Sequence, residues 1–221
     1  MSKIIIYEDK DILVCHKPAG LPVQTKSLTQ KDLESLLKNH LAKTLKNNQT
    51  PYLAIINRLD QPVEGLVLFA KNQKAAAELT RQLTTNQVVK EYLAITSVIP
   101  QKSAQTLTDY LIKDGKTNLS KVATPSIKEA KKAILDYKVL THDTIHALLQ
   151  ISLKTGRHHQ IRVQMANMGT PLLGDTKYGG DFAVNLCLCA SHLAFKHPST
   201  LEKMDFNIQP QNPEFLSLSP E

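Results

Sequence analysis

Short runs of aliphatic and β-branched residues recur along this chain, each about the length of one strand. They lie at 4–7, 12–15, 66–70, 90–95, 133–140 and 145–153. The first two runs flank a charged turn at 8–11, and the last two flank Thr141-His142-Asp143, which is the pattern of two hairpins. Because hairpins join antiparallel neighbours, the sequence predicts an α+β fold with a mainly antiparallel sheet.

Leucine spacing marks a first helix. From Leu28 to Leu45 leucines recur three and four residues apart, and Thr29 and Asp32 stand in capping-box positions. We expect a helix of about four turns over this segment.

A second helix is expected after the apolar run at 66–70. Asn72 is placed to cap it, and its helical pattern runs to about Leu83. In contrast, the polar stretch from Gln101 to Lys132 shows no sustained period and is expected to be irregular.

The charge balance indicates the class of binding partner, and the cysteine content indicates the cellular compartment. The chain has 27 basic and 20 acidic residues, a net charge of +7, and a pI near 9.2, which favours a polyanion such as nucleic acid. Cys15, Cys187 and Cys189 are an odd number in apolar surroundings and do not predict a disulfide framework. We therefore expect a reducing compartment, the cytoplasm.

Length and hydropathy predict one domain without a membrane segment. A chain of 221 residues suffices for one substantial core, so we expect a single domain over 1–221. The apolar run at 4–6 is followed at once by charged residues, unlike a signal or transit peptide. No apolar run approaches membrane-spanning length.

A candidate metal site lies at the one closely spaced pair of cysteines. Cys187 and Cys189 alternate along a predicted strand, so both sulfurs can share a face, and His192 follows closely. The sequence offers no second ligand pair at zinc spacing. We therefore expect no metal.

Asp60 lies in a tight turn directly before the apolar strand at 66–70. Pro62 fixes its own φ, and Gly65 permits either a close backbone approach or a positive φ. We therefore expect this turn to hold the carboxylate in one orientation, as a reacting group requires.

A second polar cluster, residues 155–162, offers cations to meet that carboxylate. It leads into a predicted helix with Ile161, Met165 and Met168 on one apolar face, ending at Gly169. Backbone amides and cations before a helix suit phosphate binding.

Six separated segments carry the motifs of one known family. They are residues 7–22 with Lys17-Pro18-Ala19-Gly20, then Arg58-Leu59-Asp60, Lys90-Glu91-Tyr92, residues 155–163, residues 169–175 and residues 193–198. In this order they resemble the RluA-type pseudouridine synthases, which isomerise uridine to pseudouridine within folded RNA. The resemblance covers nearly the whole chain.

The resemblance implies the pseudouridine synthase fold, a mixed, mainly antiparallel central sheet flanked by helices and loops, with a basic active-site cleft. It leaves no room before residue 4 for the S4 RNA-binding domain of many relatives, and we expect none. Several positions depart from the usual family residues: Asn57, Val63, Glu64, Gln164 and Cys189. These departures concern the residues that would support the turn around Asp60 and those that would contact RNA.

The resemblance also implies a catalytic set. Asp60 is the reacting carboxylate, acting either as a nucleophile on C1′ or as a base on the ribose, and the sequence leaves both open. Arg162 is its cationic partner. Tyr92 stacks on the extruded uracil and helps to move the C5 proton. No cofactor is expected, because the isomerisation involves no net redox change.

Four further residues are implied to bind RNA. Arg58 fills the space of the extruded base, with a phosphate contact as the alternative. Arg157, His158 and Gln160 are expected to contact the RNA backbone and to recognise its shape rather than its base sequence. The expected partner is a tRNA or rRNA stem-loop, without an obligatory protein partner, and the expected state is a monomer. The alternative function is a catalytically silent RNA-binding relative, although both Asp60 and Arg162 are present.

Overall fold

Strands dominate the structure, a computed structural model that describes residues 4–27, 29–43, 50–181 and 184–218. In chain order the elements are β1 (Ile5–Glu8), β2 (Ile12–Lys17), α1 (Leu33–Ala42), β3 (Ala54–Ile55), β4 (Glu64–Ala70), α2 (Gln73–Thr84), β5 (Val89–Thr96), β6 (Ala104–Asp114), β7 (Leu119–Ala123), β8 (Lys131–His142), β9 (Ala147–Leu153), α3 (Gln160–Asn167), β10 (Leu188–Lys196), β11 (Lys203–Asn207) and a 3-10 helix (Pro213–Leu218). No helix in the described ranges is long and apolar enough to cross a membrane.

The chain divides into two compact units. The first unit is Met1–Val89 with Ala190–Gln209, and the second unit is Lys90–Cys189 with Pro210–Glu221. Strand order is β1-β2-β4-β10 in the first unit, with β3 beside β4 and β11 beside β10, and β5-β9-β8-β6-β7 in the second. The registered pairs in both units are antiparallel, which confirms the predicted α+β fold with a mainly antiparallel sheet.

The core of the first unit forms where β2 and β4 face α2. Val14 lies opposite Leu68 across the two strands, and both are buried with Leu79 of α2. The predicted cap of α2 is confirmed, because Asn72 Oδ1 accepts a hydrogen bond from Ala75 N at 2.9 Å.

The first helix is shorter than predicted. It begins at Leu33 because Asp32 is its extended N-cap, with Oδ1 accepting from Ser35 N at 2.7 Å. Thr29 takes no part in the cap, so the predicted capping box is wrong, whereas the buried face of Leu33, Leu37 and Leu41 is confirmed. Of the predicted ends, Leu28 and Leu45 lie outside the described residues.

The prediction of an irregular stretch over 101–132 is wrong, because β6 and β7 form an antiparallel pair there. Leu107 and Leu111 are buried, but Asp109 stands between them and interrupts the apolar alternation. Gln164 of α3 satisfies this carboxylate, since its Nε2 donates to Asp109 Oδ2 at 2.7 Å. The strand is therefore set by its ladder with β8 and by α3 rather than by local pattern.

The third helix ends at Asn167, two residues before the predicted end, so Met168 is its C-cap, whereas the rest of the predicted apolar face is confirmed. It starts at Gln160, Ile161 and Met165 are buried, and the chain turns at Gly169 with φ of 83°. The helix begins within the polar cluster at 155–162, so its first turn fixes the position of Arg162.

Candidate active site

The Asp60 turn is built as predicted from a hydrogen-bonded turn and a close backbone approach. Val63 N donates to the carbonyl oxygen of Asp60 at 3.0 Å. Gly65 has φ of 131°, and a Cβ at this position would lie 2.5 Å from the backbone nitrogen of Ala190. Any side chain here would displace β10 or the turn. The Asp60 side chain is half-buried at this rigid corner.

Asn57 anchors the chain on the other side of Asp60. Its Nδ2 donates to Leu66 O at 3.2 Å, and its Oδ1 accepts from Leu68 N at 2.7 Å. The side chain thus acts as a short ladder partner for β4. This departure from the usual family residue therefore has a supporting role of its own, and Arg58 follows it on the exposed side of the turn.

Lys17 is fully buried beneath the turn, an unusual position for an ammonium group. Its Nζ donates to the carbonyl oxygens of Pro18, Leu21 and Gln61 at 2.9, 2.8 and 3.1 Å. Burial lowers the pKa of Lys17 to about 8, while the negative charges of Asp60 and Glu64 oppose that shift. The ammonium therefore fixes the backbone next to Asp60 and adds a positive charge near its carboxylate.

Glu64, another departure from the family pattern, is also buried in this region. Its Oε2 lies 3.6 Å from Nε2 of His16, at the end of β2. Together with Lys17, these side chains place both signs of charge behind the turn. The negative charge of Glu64, after that of Asp60, opposes the lowering of the Lys17 pKa and so favours the charged ammonium.

Arg162 is held by a partner that sequence reasoning missed, Asp175. The guanidinium donates Nε to Oδ2 at 2.8 Å and Nη2 to Oδ1 at 2.6 Å, and both side chains are almost completely buried. The Arg162 Cζ also lies 5.1 Å from the ring centroid of Tyr178. A bidentate pair of this kind fixes the guanidinium plane.

Tyr178 links this pair to His159. Its hydroxyl accepts from Ser120 N at 2.8 Å and lies 2.7 Å from Nδ1 of His159. Since the hydroxyl accepts one bond, its own proton is available for the imidazole nitrogen. Burial, and then the charge of Arg162, lower the pKa of His159 to about 3, so this ring is neutral at pH 7.

Gln160 holds the loop before α3. Its Oε1 accepts from Arg157 N at 2.9 Å and from Thr155 Oγ1 at 2.7 Å, and its Nε2 donates to Ile134 O at 3.1 Å. The side chain is 3% exposed. These contacts give Gln160 a structural role in the loop, and its contact with RNA stays a prediction.

The remaining predicted residues divide between the two units. Arg58 lies with Asp60 in the first unit, whereas Tyr92, Arg157 and His158 lie with Arg162 in the second. Tyr92 is buried on β5 opposite Ile151 of β9. Because Asp60 and Arg162 belong to different units, their pairing stays a prediction.

The missed residues had weak signals in the sequence. Asp175 stands 13 residues after Arg162 in a turn-rich loop, where an acidic residue is ordinary. Gly174 before it has φ of 76°, and a Cβ there would lie 2.3 Å from Asn185 O. For Lys17 the signal in the sequence was stronger. It directly follows five strand residues, and the backbone carbonyls of the turn after it are not paired with a neighbouring strand.

No group of three or more His, Cys, Asp or Glu side chains is arranged for a metal ion within the described ranges. Cys15, Cys187 and Cys189 are buried and form no disulfide bond. Burial raises the pKa of the Cys15 thiol, which keeps it protonated and unreactive at neutral pH.

A carboxylate held in one orientation, such as that of Asp60, is able to act in acid–base or nucleophilic chemistry. The family model described as RNA pseudouridylate synthase matches residues 11–167. The chain belongs to this family of RNA-modifying isomerases.

Individual relatives agree with that assignment. The chain is 33% identical over 220 residues to the ribosomal large subunit pseudouridine synthase D of Vibrio cholerae, covering 92% of this chain and 66% of the relative. It is 32% identical to the tRNA pseudouridine synthase C of Haemophilus ducreyi, covering 92% and 89%. The structure of human RNA pseudouridylate synthase domain containing 4 superposes with a TM-score of 0.79 at 25% identity, covering 99% of this chain and 95% of that one.

Proposed function

We propose that this protein isomerises specific uridines to pseudouridine in a structured tRNA or rRNA, with Asp60 as the reacting carboxylate. The observation that carries the proposal is the Asp60 turn. It is anchored by Asn57, Gly65 and the buried ammonium of Lys17, yet it leaves the carboxylate half-exposed. A reacting group needs this combination of fixed orientation and access.

The reaction breaks the C1′–N1 bond, rotates the uracil and forms a C1′–C5 bond. Asp60 serves at the ribose, either by attacking C1′ or by removing a ribose proton. The C5 proton then leaves while N1 regains one, so atoms and charge balance without a cofactor. Tyr92 is the proposed group for stacking on the uracil and assisting the C5 proton, and Arg162 is the proposed cation for the Asp60 carboxylate.

The target uridine must leave its stack before Asp60 can reach C1′. Arg58 is exposed on the same turn as Asp60 and can both stack and donate hydrogen bonds, so we assign it to the vacated space. Arg157 and His158 are proposed to contact the backbone of the same RNA. The +7 net charge supports binding to a polyanion.

The extent of the catalytic domain, the RNA substrate, the cellular compartment and the oligomeric state are part of the same proposal. The family match over 11–167 runs through both units, which supports one catalytic domain over 1–221. Relatives named for ribosomal and transfer RNA support either RNA as the substrate. We assign the protein to the cytoplasm, as a monomer.

The test is a comparison of pseudouridine maps of total RNA from cells with the gene, without it, and complemented by wild type or Asp60→Asn. The proposal expects one or a few uridines to lose modification on deletion and to regain it only with the wild type. Identical maps with and without the gene would contradict the proposal. Recovery with Asp60→Asn would reject the assigned carboxylate.

A further inference from the structure

A cavity of about 500 Å³ opens in the second unit, beside the loop that precedes α3. It is formed by the β6–β7 hairpin, the start of β8 and residues 156–158, and we refer to it as the basic pocket. Its lining is Leu111, Ile112, Lys113, Ser120, Glu129, Lys131, Gly156, Arg157 and His158. The pocket thus joins part of the predicted RNA-binding cluster to the β6–β7 hairpin, which the sequence pattern did not predict.

Positive charge is concentrated in the basic pocket. Lys113, Lys131 and Arg157 are exposed cations in its lining, against the single carboxylate of Glu129. Such a concentration of like charge raises the local potential and favours an anion.

A fourth cation approaches from β5. The Nζ of Lys90 lies 3.7 Å from the position that a Cβ would occupy on Gly156. Burial, and then the charge of Arg157, lower the pKa of Lys90. The two cations therefore repel each other in the folded protein, and an anion between or beside them would relieve that repulsion.

The pocket is also preorganised. Arg157 Nε donates to the carbonyl oxygen of Lys132 at 2.9 Å, which fixes the guanidinium and leaves its Nη groups without another hydrogen bond among the described residues. His158 Nδ1 lies 2.9 Å from Ser120 Oγ, and its ring stacks on His159 at 3.8 Å between centroids. Fixed donors lose little conformational entropy when an anion binds.

We propose that the basic pocket binds a backbone phosphate of the RNA substrate, with Lys113 and Lys131 as binding residues that no motif of the chain indicates. This proposal rests on the proposed RNA substrate. A phosphate rather than a base is favoured because the lining carries several cations, whereas its one ring, that of His158, is already stacked on a neighbour. Phosphate contacts of this kind set the register of an RNA without reading its sequence.

The first test measures affinity for a stem-loop substrate as a function of salt. Lys113→Gln and Lys131→Gln should each weaken binding about 3- to 10-fold at physiological salt and reduce the salt slope by about one unit. The matched control is Lys138→Gln, which removes an exposed lysine from the same strand as Lys131 but outside the pocket. Equal losses in Lys138→Gln and in the pocket variants would overturn the proposal.

Glu129→Gln provides a test of opposite sign. If an anion binds in the basic pocket, removal of this carboxylate should tighten RNA binding about 2- to 5-fold, because it repels the phosphate. Unchanged or weaker binding by a variant with a wild-type melting temperature would count against the pocket.

The sharpest test uses RNA in which one linkage at a time is a neutral methylphosphonate. Wild type should lose affinity at one linkage in particular, and that loss should be smaller in Lys113→Gln and in Lys131→Gln, since one of the cations that attract this phosphate is already gone. The same pattern of losses in wild type and variants would overturn the proposal.

A free phosphate is the other source of the same ligand chemistry. Inorganic phosphate should compete with RNA only weakly if the site is built for a backbone. Strong stabilisation of the wild type by millimolar phosphate, with RNA affinity unaffected by Lys131→Gln, would reject the RNA assignment. Because these assays measure binding alone, their outcome is separate from failure of the proposed isomerisation, which tritium release from labelled RNA detects.

Discussion

The Asp60 turn and the Arg162–Asp175 pair fix the orientation of a charged side chain in different ways. Asp60 is half-exposed and is fixed through the backbone around it, by Asn57 and Lys17. In contrast, Arg162 and Asp175 are 4% and 1% exposed and fix each other directly. The backbone around Asp60 therefore helps to orient a half-exposed carboxylate, whereas the buried guanidinium and carboxylate of the pair orient each other.

The two regions should respond differently to substitution. A buried ion pair repays little of its desolvation cost, but loss of one partner leaves an unpaired buried charge. Substitutions at Arg162 or Asp175 should therefore damage folding, and those at Arg162 should also impair the proposed catalysis, while substitution at Asp60 should damage activity with little effect on folding.

The largest effect on folding is expected at the buried pair. Asp175→Leu should lower the free energy of unfolding by about 3–5 kcal/mol, because it strands the guanidinium of Arg162. The matched control is the double variant Arg162→Met with Asp175→Leu, which should be markedly more stable than the single variant. Urea denaturation measures both. Additive losses in the double variant would show that the pair is not the unit that matters.

A smaller loss is expected under the Asp60 turn. Lys17→Met should cost about 2–4 kcal/mol, because three backbone carbonyls lose a charged donor. Since the pKa of Lys17 is lowered from 10.5 to about 8, the unfolded chain binds more protons between these values. Wild type should therefore gain stability relative to Lys17→Met from pH 8 to 10.5, and a constant difference would contradict the buried ammonium.

His159 should make the second unit sensitive to acid. Its pKa is lowered from 6.5 to about 3, so between these values the unfolded chain binds a proton that the folded chain does not. Its contribution to stability is complete above pH 6.5 and is lost as pH falls towards 3, by up to about 1.4 kcal/mol per pH unit. His159→Asn, which tolerates the observed φ of 54°, should show a shallower dependence in denaturation curves at pH 7, 6 and 5. Parallel curves would contradict this assignment.

The fold could be predicted where local chemistry decides it. Asn72 sets the start of α2 because a side-chain cap needs only residues close in sequence. β6 could not be predicted in this way, because Asp109 on its buried side is satisfied by Gln164, 55 residues later. A polar residue paired across the fold looks like a loop residue in the sequence.

In the candidate active site, too, the sequence predicts local features but not contacts between residues distant along the chain. The turn around Asp60 was predictable from Pro62 and Gly65, since backbone restrictions are local. The partners that fix the charged groups were not, because Asp175 and Lys17 act through contacts that depend on the folded chain. Motif resemblance indicated which residues matter, whereas the structure assigns their contacts.

The most direct test of the account compares wild type and Asp60→Asn in single-turnover tritium release from stem-loop RNA labelled at uracil C5. The amide keeps the size of the side chain and removes only its charge and reactivity. We expect no release above background by Asp60→Asn, with RNA affinity within about twofold of wild type and a free energy of unfolding within about 0.5 kcal/mol, as for a substitution outside the core. Tritium release by Asp60→Asn within about tenfold of the wild-type rate, a loss of less than about 1.4 kcal/mol in transition-state stabilisation, would show that Asp60 is not the reacting carboxylate.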